Sequence, residues 1–201
     1  MGFVMGDAAE TLELTYAQYL SLEAETGARH EWLGGRVYAV AGGSPEHALL
    51  ASAVGAELQR LARARGCRVA SSDLKVRVLA TGLATYADVT VLCGALERDP
   101  ADPNAVTNPT VLVEVLSDGT ELYDRGEKFL HYQRVPSLRH YLLVSQREPR
   151  VELYSREGGR WVYLQVGAGE SVELAALGGA LSVDAFYAGI ELQPSPLRRL
   201  R

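Results

Sequence analysis

The chain has 201 residues, 47% of them hydrophobic and 22% charged, with a formal net charge of −5. That composition suits a globular protein and excludes disordered, collagenous and coiled-coil chains, while the negative charge argues against avid, non-specific DNA binding and leaves any nucleic-acid contact to a local basic surface. The two cysteines, Cys67 and Cys93, are too few for a disulfide framework and match no metal spacing, so they are expected as free buried thiols in a reducing compartment, the cytoplasm, with no targeting or membrane-spanning segment.

In chain order, Thr15 followed by Gln18 is a capping box, and Tyr19, Leu20 and Leu22 give the apolar side of a short helix ending near Gly27. Two β-favouring runs around Gly34 and Gly35 predict a hairpin over 30–40. Ser44 is an N-cap and Pro45 takes the first helical position. Leu50, Val54, Leu58 and Leu61 then recur at helical spacing as far as Gly66. Residues 68–79 alternate, Leu74, Val76 and Val78 against Asp73, Lys75 and Arg77, which predicts one strand. A second is predicted over 86–93, with Asp88 on its polar face. Residues 95–109 hold Pro100, Pro103 and Pro109 without an apolar period and read as a loop. An apolar strand follows over 111–116, then a helix capped by Asp118 with Glu121 and running to about Val135, a strand over 140–144 and a hairpin over 151–166 around Glu157, Gly158 and Gly159. The order helix, three strands, helix, strand, flanked by hairpins, predicts an α/β fold with a central mixed sheet and helices packed against it. It is expected as one domain over 1–201: core about 44–146, N-terminal helix and hairpin 12–41, C-terminal hairpin region 150–190 and an arginine-rich tail 191–201.

Glu114 is the most informative residue. Its neighbours Val111, Leu112, Val113, Val115 and Leu116 mark a strand buried on both faces, where an ionised, unpaired carboxylate costs several kcal/mol. Glu114 must therefore sit near the strand end, meet a cation or bind a metal, and Asp88 poses the same question one strand earlier. Two such acids on adjacent strands suit magnesium, manganese or calcium rather than zinc; a buried ion pair with an arginine is the other reading. Of twenty cationic residues only Lys75 and Lys128 are lysine. Lys128 shares a helix face with Asp124, and a compact ammonium can orient a water where guanidinium cannot. Asp73 and Lys75 are the fallback acid and lysine, and Glu31 and His47 are possible accessory residues. Arg60, Arg63, Arg65 and Arg68 form a basic cluster suited to phosphate contacts or to solvent.

The segments Tyr86-Ala-Asp88-Val-Thr-Val, Val-Leu-Val-Glu114-Val-Leu-Ser117 and Asp124-Arg-Gly-Glu-Lys128 resemble the PD-(D/E)XK restriction-endonuclease-like superfamily, specifically the Uma-two family of endonucleases. The likeness extends to Arg29-His30-Glu31-Trp-Leu-Gly-Gly and Ser44-Pro-Glu-His47. It implies a restriction-endonuclease-like core and DNA hydrolysis with Mg²⁺ or Mn²⁺. Asp88 and Glu114 match the two acids and, with Val115, would hold the metal, while Lys128 matches a lysine moved to the next helix. Two departures stand out: Ala87 replaces the usual proline, and Leu116 stands where the superfamily's lysine follows the second acid. That departure, with the acidic net charge, supports the alternative of a non-catalytic nucleic-acid or protein interaction module. A homodimer is expected, because cutting both strands of a duplex needs two sites and because Trp32, Tyr38, Trp161 and Tyr163 lie on hairpins outside the core.

Overall fold

The computed structural model describes residues 13–40 and 42–192, so Arg198, Arg199 and Arg201 of the predicted tail lie outside the described residues. The Thr15–Gln18 capping box opens α1 (Tyr16–Thr26), and Gly27, at φ 67°, closes it. Strands β1 (His30–Leu33) and β2 (Arg36–Ala39) pair antiparallel across Gly34 and Gly35, whose φ values of 57° and 95° are those of a tight hairpin turn. Ser44 accepts the His47 N–H at 3.2 Å at the start of α2 (Pro45–Arg63), and Leu50, Val54, Leu58 and Ala62 form its buried stripe.

Beyond α2 the predicted strands divide. The 68–79 segment is two strands, β3 (Arg68–Ser71) and β4 (Lys75–Val78), with a turn between them in which the Leu74 N–H donates to Ser71 O. The 86–93 segment likewise spans the end of β5 (Leu83–Tyr86) and all of β6 (Val89–Leu92). Both breaks are crossings between sheets, because β3 pairs with β6 whereas β4 pairs with β5. A period-two pattern continues through such a crossing and carries no sign of it. The predicted 95–109 loop also contains strands, β7 (Arg98–Asp99) and β8 (Asp102–Val106), which pair with each other, and β8 runs parallel to β4.

Strand β9 (Val111–Leu116) is buried throughout. The helix expected to run to Val135 is broken into α3 (Glu121–Arg125) and α4 (Glu127–Tyr132) at Gly126, with φ −107° and ψ −98°. Thr120 rather than Asp118 stands at its N-cap. Strand β10 (His140–Ser145) lies parallel to β9, and β11 (Arg150–Glu157) and β12 (Arg160–Gly167) continue antiparallel from it. The chain closes with β13 (Ser171–Leu174), β14 (Gly179–Ser182) and α5 (Val183–Tyr187).

The strands form two six-stranded sheets, ordered β2-β1-β5-β4-β8-β7 and β12-β11-β10-β9-β6-β3, with β13-β14 apart, and the second is the expected mixed sheet with helices packed against it. Apolar side chains cover both faces of the second sheet. Val111, Val113 and Val115 face α2, while Leu112 and Leu116 join Phe129, Tyr132 and Tyr141 on the α4 side. Each fully buried Leu or Val there contributes roughly 1.5–3 kcal/mol. Trp32 and Trp161, expected on uncovered hairpins, are half-buried against Tyr16 and Phe129, whereas Tyr163 on edge strand β12 is exposed.

The expected free thiols are instead a disulfide, Cys67–Cys93. Arg68 pairs with Leu92, so the residues one step outside that pair face each other where the two strands end, a proximity that cysteine count and spacing do not encode. With the thiols joined, the argument for a reducing compartment no longer holds. Among the described residues no helix is long and apolar enough to cross a membrane.

His140 supplies a pH test of packing. Its Nε2 accepts the Ala176 N–H at 3.2 Å and its Nδ1 lies 3.0 Å from Ser155 Oγ. Burial first, then the nearby Arg139, lowers its pKa from 6.5 to about 4. Unfolding therefore takes up a proton between those values. The stability this neutral ring contributes is fully present above pH 6.5 and is lost as pH falls through about 4, at most about 3 kcal/mol. Urea unfolding of the parent and of His140→Gln at pH 7 and pH 4.5 should show the gap between them closing at the lower pH; a gap of constant size overturns the assignment.

Candidate active site

The site is built where the chain crosses between sheets. Val89 pairs with Val113 and Val91 with Val111, and one further step of that register sets Asp88 opposite Glu114. The crossing between β5 and β6 frees Asp88 from any ladder, and its Oδ2 instead accepts the Val115 N–H at 2.7 Å. His47 Nε2, from the first turn of α2, lies 3.2 Å from the same oxygen. Gly43 lets the preceding loop close on that imidazole, since a Cβ there would stand 2.7 Å from His47 Nδ1.

On the α4 side, Lys128 Nζ lies 2.9 Å from Glu114 Oε1, 3.1 Å from Glu31 Oε1 and 3.7 Å from Asp124 Oδ1. The Tyr132 hydroxyl donates to Glu114 Oε1 at 2.9 Å, and Thr85 and Tyr123 donate to Glu31. The break at Gly126 turns α4 so that Lys128, Phe129 and Tyr132 all face inward. Asp88, Glu114, Lys128, Glu31 and His47 line one cavity of about 1150 Å³, together with Val115 and Asp124.

Four carboxylates thus surround one ammonium and one imidazole. Burial raises the Glu114 pKa well above the ordinary carboxylate range, against the pull of Lys128 and with the help of Asp124 and Asp88. Asp124 is raised in the same way, by burial first. Burial alone would lower the Lys128 pKa, but Glu114 and Glu31 outweigh it and keep the ammonium charged. His47 is likewise raised: burial opposes its charging, and its hydrogen bond and charge interaction with Asp88 prevail. The cavity gathers more carboxyl groups than Lys128 and His47 can partner, and a further cation would favour the ionised forms of Glu114 and Asp124.

The fallback pair lies elsewhere. Asp73 is exposed and pairs with Arg29 at 3.1 Å. Lys75 is buried but spoken for by Glu23 at 2.7 Å and Asp102 at 2.8 Å, an arrangement that ties α1 to the first sheet. Sequence reasoning missed Tyr132, four residues after Lys128 and therefore on its helix face, and noted Asp124 as a helix-face neighbour of Lys128 without a place among the site residues. Thr85 and Tyr123 carried no signal, because they come to Glu31 from separate elements. In the basic cluster of α2, Arg60 pairs with Glu57 at 3.0 Å.

The chain is similar to known proteins over most of its length. The profile of Uma2, described as "Putative restriction endonuclease", matches residues 16–185. Two uncharacterized proteins of Synechocystis sp., slr1290 and sll1609, are 35% and 31% identical to it, over 89% and 83% of this chain and 93% and 94% of their own lengths. A crystal structure of "a putative nuclease belonging to DUF820" from Anabaena variabilis matches with a TM-score of 0.73 at 16% identity, over 89% of this chain and 99% of that one. At that identity the likeness bears on the fold alone, which is the restriction-endonuclease-like core expected from the sequence.

Proposed function

Since the chain belongs to the Uma2 family, "Putative restriction endonuclease", we propose that it hydrolyses DNA phosphodiester bonds with Mg²⁺ or Mn²⁺ held by Asp88 and Glu114. The observation that carries this reading is the crowding of Glu31, Glu114 and Asp124 around Lys128, with Asp88 and its partner His47 lining the same cavity. A buried ion pair needs one acid for its lysine; the surplus suits a cation and a phosphate. Among the described residues no three His, Cys, Asp or Glu side chains form a complete metal cage. Magnesium commonly takes one or two carboxylates and completes its shell with water and substrate phosphate, so two hard oxygen donors fit it and a zinc cage is not needed.

When bound, such an ion supplies Lewis-acid neutralisation of phosphate charge and a more acidic water. The chain's own residues supply the positioning. The Val115 N–H and His47 fix Asp88 from two sides, and Tyr132 fixes Glu114. Lys128, kept protonated by Glu114 and Glu31, donates hydrogen bonds that orient the attacking water for in-line displacement at phosphorus. In this role it does the work of the lysine that Leu116 replaces. Purified protein should nick or linearise supercoiled plasmid with millimolar Mg²⁺ and lose that activity in EDTA. Metal-independent inertness together with DNA binding would favour an interaction module.

Duplex cleavage also calls for a homodimer. Edge strand β12 exposes Val162, Tyr163 and Leu164 in succession, the kind of unpaired apolar edge that joins a second copy. Sedimentation equilibrium at micromolar concentration should give twice the 21.8 kDa chain mass, reverting to one chain in Tyr163→Lys. A strictly monomeric parent would make single-strand nicking the expected reaction.

A further inference from the structure

A second cavity, of about 550 Å³, lies between the end of α4, the turn after β4 and the tip of the β11–β12 hairpin. Its lining includes Thr81, His131, Arg134, Arg156 and Trp161 but no carboxylate. Arg156 donates through one nitrogen to the carbonyls of Gln133 at 2.7 Å and Val135 at 3.0 Å, and its guanidinium sits 4.8 Å above the Trp161 ring. Three lining residues keep a buried atom with no hydrogen-bond partner: Thr81 Oγ1, His131 Nδ1 and Arg156 Nε. Those three atoms are sealed from solvent, so what the lining offers an occupant is the outer nitrogens of its two arginines.

The charge points the same way. Among the described residues, neither Arg134, Arg156 nor the adjacent Arg139 pairs with a carboxylate, although the chain as a whole is acidic. We propose that this cavity is a phosphate-binding site, filled by the phosphate of a free nucleotide or of a nucleic-acid strand. Arg134 pairs with its oxygens, and Arg156, whose Nη2 is held by the Gln133 and Val135 carbonyls, offers its remaining terminal nitrogen. Guanidinium donors arriving from two separate segments suit a tetrahedral oxyanion, which accepts from several directions, better than a planar carboxylate that one guanidinium fork satisfies. No residue lines both this cavity and the one holding Asp88 and Glu114, so the two sites are separate.

Isothermal titration calorimetry of the full chain in EDTA, where no cleavage occurs, tests this with inorganic phosphate, a nucleoside monophosphate and a single-stranded DNA hexamer. Phosphate should bind at about 1 mM or tighter. Arg134→Gln, at an exposed position that leaves the core intact, should weaken phosphate by about tenfold. Arg156→Lys, which keeps the charge and loses the fork, should weaken it as well, and Glu114→Gln should leave it unchanged. If the hexamer weakens in parallel in Arg134→Gln, the phosphate belongs to a strand; if only phosphate and the monophosphate weaken, it belongs to a free nucleotide. Either outcome stands whether or not the protein cleaves DNA. Failure of phosphate to bind the parent, equal binding by Arg134→Gln, or loss of binding in Glu114→Gln alone would overturn the proposal.

Discussion

Lys128→Met should lower the melting temperature by about 10 °C and remove Mg²⁺-dependent cleavage. The ammonium is buried and touches Glu31, Glu114 and Asp124; deleting one partner of such a cluster costs about 3–5 kcal/mol because the remaining charges stay buried without compensation. For a chain of this size each kcal/mol shifts the midpoint by roughly 2–4 °C. The sign of the pH effect follows from the acids. Glu114 and Asp124 have pKa values already raised by burial, and without Lys128 they rise further, so the native variant binds more protons than the unfolded chain. Its stability therefore falls as pH rises, and the deficit against the parent should be smaller at pH 5 than at pH 8. Millimolar Mg²⁺ should recover part of the loss at pH 8. A variant as stable as the parent at both pH values would show that Lys128 does not hold the acid cluster together.

Glu114→Gln and Asp88→Asn should each reduce metal-dependent cleavage by about a thousandfold, the several kcal/mol that a correctly held metal contributes, with the melting temperature unchanged or higher. Both substitutions keep the local hydrogen bonds. The Gln oxygen still accepts from Tyr132 and Lys128, and the Asn oxygen still accepts the Val115 N–H. Each also removes one negative charge from a crowded group, relieving like-charge repulsion. Lys128 keeps Glu31 and Asp124 in either variant. Calorimetric Mg²⁺ titration separates this reading from a purely structural ion pair: the variants should lose affinity that the parent has. A parent without measurable Mg²⁺ affinity, or variants that lose ten degrees of stability, would leave Glu114 as Lys128's structural counter-ion.

Much of the architecture was legible locally. The Thr15–Gln18 box, the Gly34-Gly35 turn and the Ser44-Pro45 helix start each depend on residues within a few positions, and each stands where the sequence put it. Glu114 could be singled out for the same reason: an acid inside an unbroken apolar run conflicts with its neighbours whatever the fold, and conflict marks a site. The long-range facts were of another kind. Alternation carried straight through 68–79 and 86–93 and hid two crossings between sheets, yet the second crossing is what presents Asp88 to Val115 and His47. Gly126 was visible as a residue but not as the hinge that turns Lys128 inward. Cysteine spacing described two thiols, and only the register of β3 against β6 joins them. Sequence by itself determined the local elements and the residues whose burial would be costly, because propensity, capping and apolar period act within a few residues. Tertiary structure alone decided which acids share Lys128 and which arginines are left without one, because those pairings depend on sheet order and helix direction, which no window of sequence contains.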